Sequence, residues 1–169
     1  MHHGIGKGRR AGRVVHPRPP RARYLRHMPL TNEEKSALLA RLELFAGVPA
    51  ASLDAVAERA GEAEFEDGRH IVQQGQLGTG LWVVIDGTVR VVRGSDELGQ
   101  LGPGELFGEV AVFDQHPRMA SVIADGDVRC LGIASWDFLD LLEHDPTLTR
   151  NVLRVMAERL RRATDAQRH

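Results

Sequence analysis

The sequence is short of several things. It has one cysteine, Cys130, so no internal disulfide can form, and a lone thiol cannot hold an iron–sulfur cluster. Aromatic residues make up only 5% of the chain. No apolar run is long enough to cross a bilayer, and the N-terminus lacks the apolar stretch of a secretory signal. No His-x-His pair falls in a strand-like segment, and His70, His116 and His144 lie far apart, which leaves a metal enzyme of the cupin type without its ligand cluster. His116 reads as an exposed loop residue. No Ser/His/Asp or Cys/His arrangement and no Gly-Lys-Ser phosphate loop is present. Gly102-Pro103-Gly104 and Gly108 miss the dinucleotide spacing by one residue and lack a βαβ context. The residues therefore carry no argument for an enzyme and none for a metal.

Acidic residues are absent before Met28, where Lys7, Arg9, Arg10, Arg13, Arg18, Arg21, Arg23 and Arg26 stand unopposed. This leaves 14 of the 22 basic residues against all 23 acidic ones in the remainder, a net of −9. So acidic a body is a poor general surface for nucleic acid. Residues 1–28, rich in Gly, Pro and Arg, are expected to be a disordered basic tail. It is either an arm for nucleic acid or acidic partners or an extension without a role, Met28 being an alternative start. Residues 29–169 are expected to form one domain, and the chain is expected in the cytoplasm.

What is present has an order. Thr31 and Glu34 have capping-box spacing, and Leu38, Leu39, Leu42 and Phe45 follow at helical spacing until Gly47. A second helix is predicted over 51–60. From Ala63 to Ala134 the pattern shifts to short β-prone runs. Leu81–Ile85 and Thr88–Arg93 read as a hairpin around Asp86-Gly87, Gly94–Gly99 as a turn, and Met119–Ala124 with Val128–Ala134 as a pair around Asp125-Gly126. Many short strands predict an antiparallel barrel or sandwich, in an α+β chain with flanking helices. Cys130 reads as a buried strand residue. Trp136, Leu139 and Leu142 form a helical stripe stopped by Pro146. A long helix over 147–165 carries two stripes: Leu148, Val152 and Val155, then Leu153, Met156, Leu160 and Ala163 at coiled-coil spacing. The second stripe needs either a broad apolar face within the monomer or a second copy of the chain.

The informative segment runs from Gly102 to Val122: glycines, a short apolar run, a loop ending at Pro117, then Arg118 leading a strand. Glycines 102, 104 and 108 let backbone amides turn toward a ligand, and free amides at a helix start attract anions. Arg118 offers a planar two-pronged donor for phosphate oxygens. Glu109 would accept from a sugar hydroxyl and would also orient Arg118; at ~4 Å and an effective dielectric near 20 that attraction is about 4 kcal/mol before desolvation. An arginine inside a barrel without an anion is costly. Taken singly, Arg118 is equally a surface or ion-paired arginine, and Glu109 a helix-start acid favoured by the dipole.

Phe107-Gly-Glu-Val-Ala-Val-Phe113 and Pro117-Arg-Met-Ala-Ser-Val122 resemble the phosphate-binding cassette of cyclic nucleotide-binding domains, found in catabolite-activator-type regulators and in regulatory subunits of cyclic-AMP-dependent kinase. The likeness extends from Leu42-x-Leu-Phe45 through Gly75, Leu81-Trp82 and Gly87 to the final helices. It implies a barrel of the double-stranded β-helix, or jelly-roll, type between N-terminal helices and a long C-terminal helix. It places Glu109 and the Gly108 backbone on the ribose 2′-hydroxyl, Arg118 on the cyclic phosphate, and the amides of Ala111 and Met119 in the phosphate cradle. Val110 and Ala120 are their neighbours in the ligand-binding set. Ser121 and Val122 are structural strand positions. Met119 stands where the family usually carries Ala, Ser or Thr; without a hydroxyl it favours cyclic AMP over cyclic GMP, and its bulk would narrow the pocket. Thr164 falls where polar residues of the long helix touch adenine. No helix-turn-helix lies between that helix and His169. The implied function is a regulatory cyclic nucleotide-binding module acting through its C-terminal helices on a homodimer or an effector protein. The alternatives are a catabolite-activator-type transcription regulator lacking its helix-turn-helix, and a degenerate domain that has lost its ligand.

Overall fold

The computed structural model describes residues 28–167; the basic stretch before Met28 lies outside them. Helix α1 (Asn32–Ala40) starts at a complete capping box. The Glu34 amide donates to the Thr31 hydroxyl at 3.2 Å, and the Thr31 amide to the Glu34 carboxylate at 2.9 Å. The helix ends well before Gly47. Leu44 and Phe45 reach the core from a separate 3-10 turn, Glu43–Phe45, whose trailing carbonyls Leu44 O and Ala46 O accept from the Asn151 side chain at 3.2 and 2.5 Å. Helix α2 (Ala50–Arg59) follows, with Leu53, Val56 and Ala57 buried.

Six strands come next: β1 (Gly61–Phe65), β2 (His70–Val72), β3 (Gly80–Arg93), β4 (Asp96–Leu101), β5 (Leu106–Phe107) and β6 (Ser121–Ala134). They form one antiparallel sheet in the order β1-β6-β3-β4, with β2 added to β6 and β5 to β3. Two expected hairpins are absent. Asp86-Gly87 and Asp125-Gly126 do not reverse the chain; they lie inside β3 and β6, which pair from Gly80↔Ala134 to Val92↔Ser121 with register shifts around Asp86. Gly87 and Gly126 have φ of +93° and +77°. A bulge in a long strand asks for the same left-handed glycine as a tight hairpin, and it bends the strand where a hairpin would reverse it. The reversal comes instead at Gly94-Ser95, where Arg93 pairs with Asp96; Gly99 is already within β4, opposite Val91.

Alternation along these strands separates two cores. Val84, Val89, Phe107, Val122, Ala124, Val128 and Cys130 pack inside the barrel. Leu81, Val83, Leu131 and Ile133 face outward against the helices. Helix α3 (Glu109–Asp114) is the short turn after β5. Helix α4 (Ser135–His144) brings Phe138 against Phe45 and Phe113, at ring separations of 6.1 and 5.7 Å. Helix α5 (Pro146–Ala166) is capped by Asp145, whose carboxylate accepts from the Thr147 and Leu148 amides at 3.0 and 3.2 Å. Pro146, which ends the preceding pattern, is also the first residue of α5, where its missing N–H costs nothing. Leu148, Val152 and Val155 are buried, whereas Leu153 and Leu160 are 65% and 70% exposed. The two stripes separate only in part, since Met156 of the second packs against the same core as the first. None of the described helices is long and apolar enough to cross a membrane.

Candidate functional site

The cassette is fixed by its backbone first. Gly108, with φ of +86°, turns the chain out of β5 into α3, so that Glu109 becomes the first helical residue. After the loop, Pro117 bridges to Leu77, the Arg118 amide donates to Gln76 O, and the Gly75 amide donates to Arg118 O, both at 2.8 Å. These contacts tie the entry of β6 to the β2–β3 loop and direct the Arg118 side chain inward.

Arg118 is 8% exposed. Its Nη1 donates to Gly108 O at 2.5 Å and its Nη2 to Gly80 O at 2.7 Å. Burial lowers its pKa from the ordinary arginine value, the expected response of a desolvated cation. Among the described residues no carboxylate lies within ion-pair distance of it. Glu109 is 5% exposed and does not orient Arg118; it forms an ion pair with Arg159, about two turns before the end of α5. The two buried charges of the cassette are therefore unequal. Glu109 has a counter-charge, and Arg118 has only the partial charges of two carbonyls, leaving other guanidinium N–H groups for a ligand.

Both charges line an open cavity of about 370 Å³, within the usual range for small-molecule sites. Gly108, Glu109, Val110 and Ala111 line it from the α3 side, and Arg118, Met119 and Ala120 from the entry of β6. Met119 is 60% exposed and sits at the rim, so the thioether does not plug the cavity. Three expectations are corrected. Thr164 does not line the cavity: α5 passes it at Arg159, and Thr164 lies more than a turn beyond, donating to Leu160 O at 2.9 Å. Gly102 and Gly104 do not present amides to it either, since their N–H groups donate to the Glu105 carboxylate and to Val84 O, at 2.6 and 2.8 Å. Arg159, absent from the expected site, belongs to it. Ser121 and Val122 are structural: the Ser121 hydroxyl accepts from the Gln74 amide at 2.9 Å, and Val122 fills the barrel. His116 is an exposed loop residue. Asp140, Glu143 and His144 lie close together on the exposed face of α4, away from the cavity.

The comparisons agree with this geometry. The cyclic nucleotide-binding domain family matches residues 62–145, the stretch that contains both halves of the cassette. The cyclic AMP receptor protein of Thermus thermophilus is 39% identical over 104 residues, 59% of this chain and 48% of that protein. The chain spans about half the length of such curated relatives. The N-terminal domain of a transcriptional regulator from Streptomyces coelicolor is 31% identical with a TM-score of 0.65, covering 77% of this chain and 94% of that one. The regulatory domain of Toxoplasma gondii PKA, solved with cAMP, is 25% identical with a TM-score of 0.67, covering 75% and 50%. With its jelly-roll barrel, its cassette and these relatives, the chain belongs to the cyclic nucleotide-binding domain family.

Proposed function

We propose that the chain binds cyclic AMP in this cavity and passes the occupancy of the site to α5. The observation that carries the reading is the buried Arg118 guanidinium, which faces the cavity with no carboxylate of the described residues within ion-pair distance. A cyclic phosphate supplies the missing charge, and two charge-assisted hydrogen bonds of about 1.5–3 kcal/mol each make that contact the largest single contribution. The amides of Ala111 and Met119 complete the phosphate cradle. The Glu109 carboxylate accepts from the ribose 2′-hydroxyl, which the Gly108 backbone helps to hold, with Val110 and Ala120 shaping the walls. Met119 brings no hydroxyl to a guanine, which favours cyclic AMP over cyclic GMP. No step of the binding calls for a metal.

Arg159 gives this reading its route outward. A ribose hydroxyl on Glu109 must share or displace that arginine, so ligand and α5 bias the same carboxylate. The exposed Leu153 and Leu160 suit a second copy of α5, making a homodimer the receiver of the signal, or an effector protein in its place. In a catabolite-activator-type transcription regulator the same movement would be read by DNA-binding elements. We assign the module to the cytoplasm, where cyclic nucleotide signals are made.

Calorimetric titration with cyclic AMP and cyclic GMP tests the assignment. Arg118→Ala is expected to fold and to weaken cyclic AMP binding at least tenfold. Unchanged affinity in that variant refutes the site, and tighter binding of cyclic GMP refutes the base preference.

A further inference from the structure

Gly78 sits in the β2–β3 loop, outside the cassette, yet a side chain there would collide with the cassette's arginine more closely than one at Gly108 would. A methyl group on Gly78 would lie 2.2 Å from Cζ, Nε and Nη2 of Arg118 alike. Equal distances to three atoms of the plane place that methyl over the flat face of the guanidinium, in the volume the glycine leaves empty. The opposite constraint comes from Gly108, whose own methyl would lie 2.6 Å from Nη1. The guanidinium thus occupies a slot with Gly78 on its face, Gly108 at its edge, and the carbonyls of Gly80 and Gly108 as its two anchors. Gly78 has no left-handed backbone to explain its glycine, unlike Gly75 and Gly108. What the position requires is the absence of a side chain.

We infer that Gly78 is a positioning residue for the ligand's anion: the empty volume above its Cα is the seat that holds the Arg118 guanidinium in the cavity wall. The inference rests on the reading that Arg118 holds the cyclic phosphate. Any side chain at 78 must push the guanidinium off its two carbonyls, because the backbone of Arg118 is fixed by its pairing with Gly75 and Gln76 and cannot retreat. The β2–β3 loop would then act on ligand affinity without contacting the ligand. A residue at 78 would set how strongly a domain built this way binds its anion.

The test is a double-mutant cycle on the full chain, with calorimetry against cyclic AMP. Gly78→Ala should lose at least tenfold in affinity, and Gly78→Ala/Arg118→Ala should bind no more weakly than Arg118→Ala alone, since the alanine acts only through the arginine. Gly61→Ala is the control, because a methyl there meets nothing within 4 Å and the backbone is unstrained; it should bind as the parent does. Wild-type affinity in Gly78→Ala, or losses that add in the double variant, overturns the seat while leaving the site reading intact if Arg118→Ala still loses binding. Equal binding by the parent and Arg118→Ala overturns both. A measurement without ligand guards against a variant that fails to fold. In the parent, the Arg118 Nε–H signal, assigned by its loss in Arg118→Lys, should exchange with water far more slowly than that of the exposed Arg161. Equal exchange rates refute the seat.

Discussion

Replacing Arg159 by methionine keeps the apolar stem on α5 and removes the one cation that the structure places on Glu109. The carboxylate, only 5% exposed in the parent, loses its counter-charge. In contact at an effective dielectric near 20 the attraction is about 4 kcal/mol or more. Two corrections reduce it: the desolvation both groups have already undergone, and the screening of an arginine that is itself about half exposed. A net loss of about 1–3 kcal/mol remains, in line with leaving a buried hydrogen-bonding group unsatisfied. At this chain length each kcal/mol lowers the unfolding midpoint by about 2–4 °C. Thermal unfolding followed by circular dichroism should therefore show Arg159→Met several degrees below Arg161→Met, a change at an exposed neighbour. Glu109→Gln/Arg159→Met should recover most of the loss, because the amide needs no cation. Cyclic AMP should raise the midpoint of Arg159→Met by more than that of the parent if the ribose hydroxyl takes over the carboxylate. The reasoning is refuted if Arg159→Met and Arg161→Met unfold together, or if the double variant loses the sum of its single effects.

Asp145→Ala removes the acceptor for two amides at the start of α5 and should cost about 1 kcal/mol, read as a lower denaturant midpoint at an unchanged slope. Phe138→Ala opens a hole between Phe45 and Phe113 where α4 meets the rest of the core, and should cost about 3–5 kcal/mol in the same experiment. Burial pushes the Cys130 thiol up to about 12, so it stays protonated through neutral and mildly alkaline pH; a thiol reagent at pH 8 should label the chain only as fast as it unfolds. Gly87→Ala strains a residue at φ +93° and sets a methyl 2.5 Å from Asp127 O, so it should destabilise by more than 1 kcal/mol, whereas Gly61→Ala should be near neutral.

The site was largely legible in the sequence, for a physical reason. Gly108, Glu109, Val110, Ala111, Arg118, Met119 and Ala120 lie within a short stretch of chain, and local spacing brings such a stretch to one cavity wall. The Thr31–Glu34 box and the two stripes of α5 were legible for the same reason. What escaped depends on distant neighbours. Asp86-Gly87 and Asp125-Gly126 carry a hairpin signal, but a bulge uses the same dipeptide, and only the pairing of β3 with β6 along their full length decides between them. Arg159 lies 50 residues from Glu109, and its one signal was a basic side chain between the two apolar stripes of α5. Gly78 carries no local signal at all; its meaning appears only when Arg118 is folded over it.

A crystal structure of the chain with cyclic AMP tests the central claim most directly. The account predicts the cyclic phosphate oxygens within about 2.7–2.9 Å of Arg118 nitrogens, with the ribose 2′-hydroxyl on the Glu109 carboxylate. A nucleotide bound with its phosphate toward solvent and Arg118 still on the Gly80 and Gly108 carbonyls alone would contradict it.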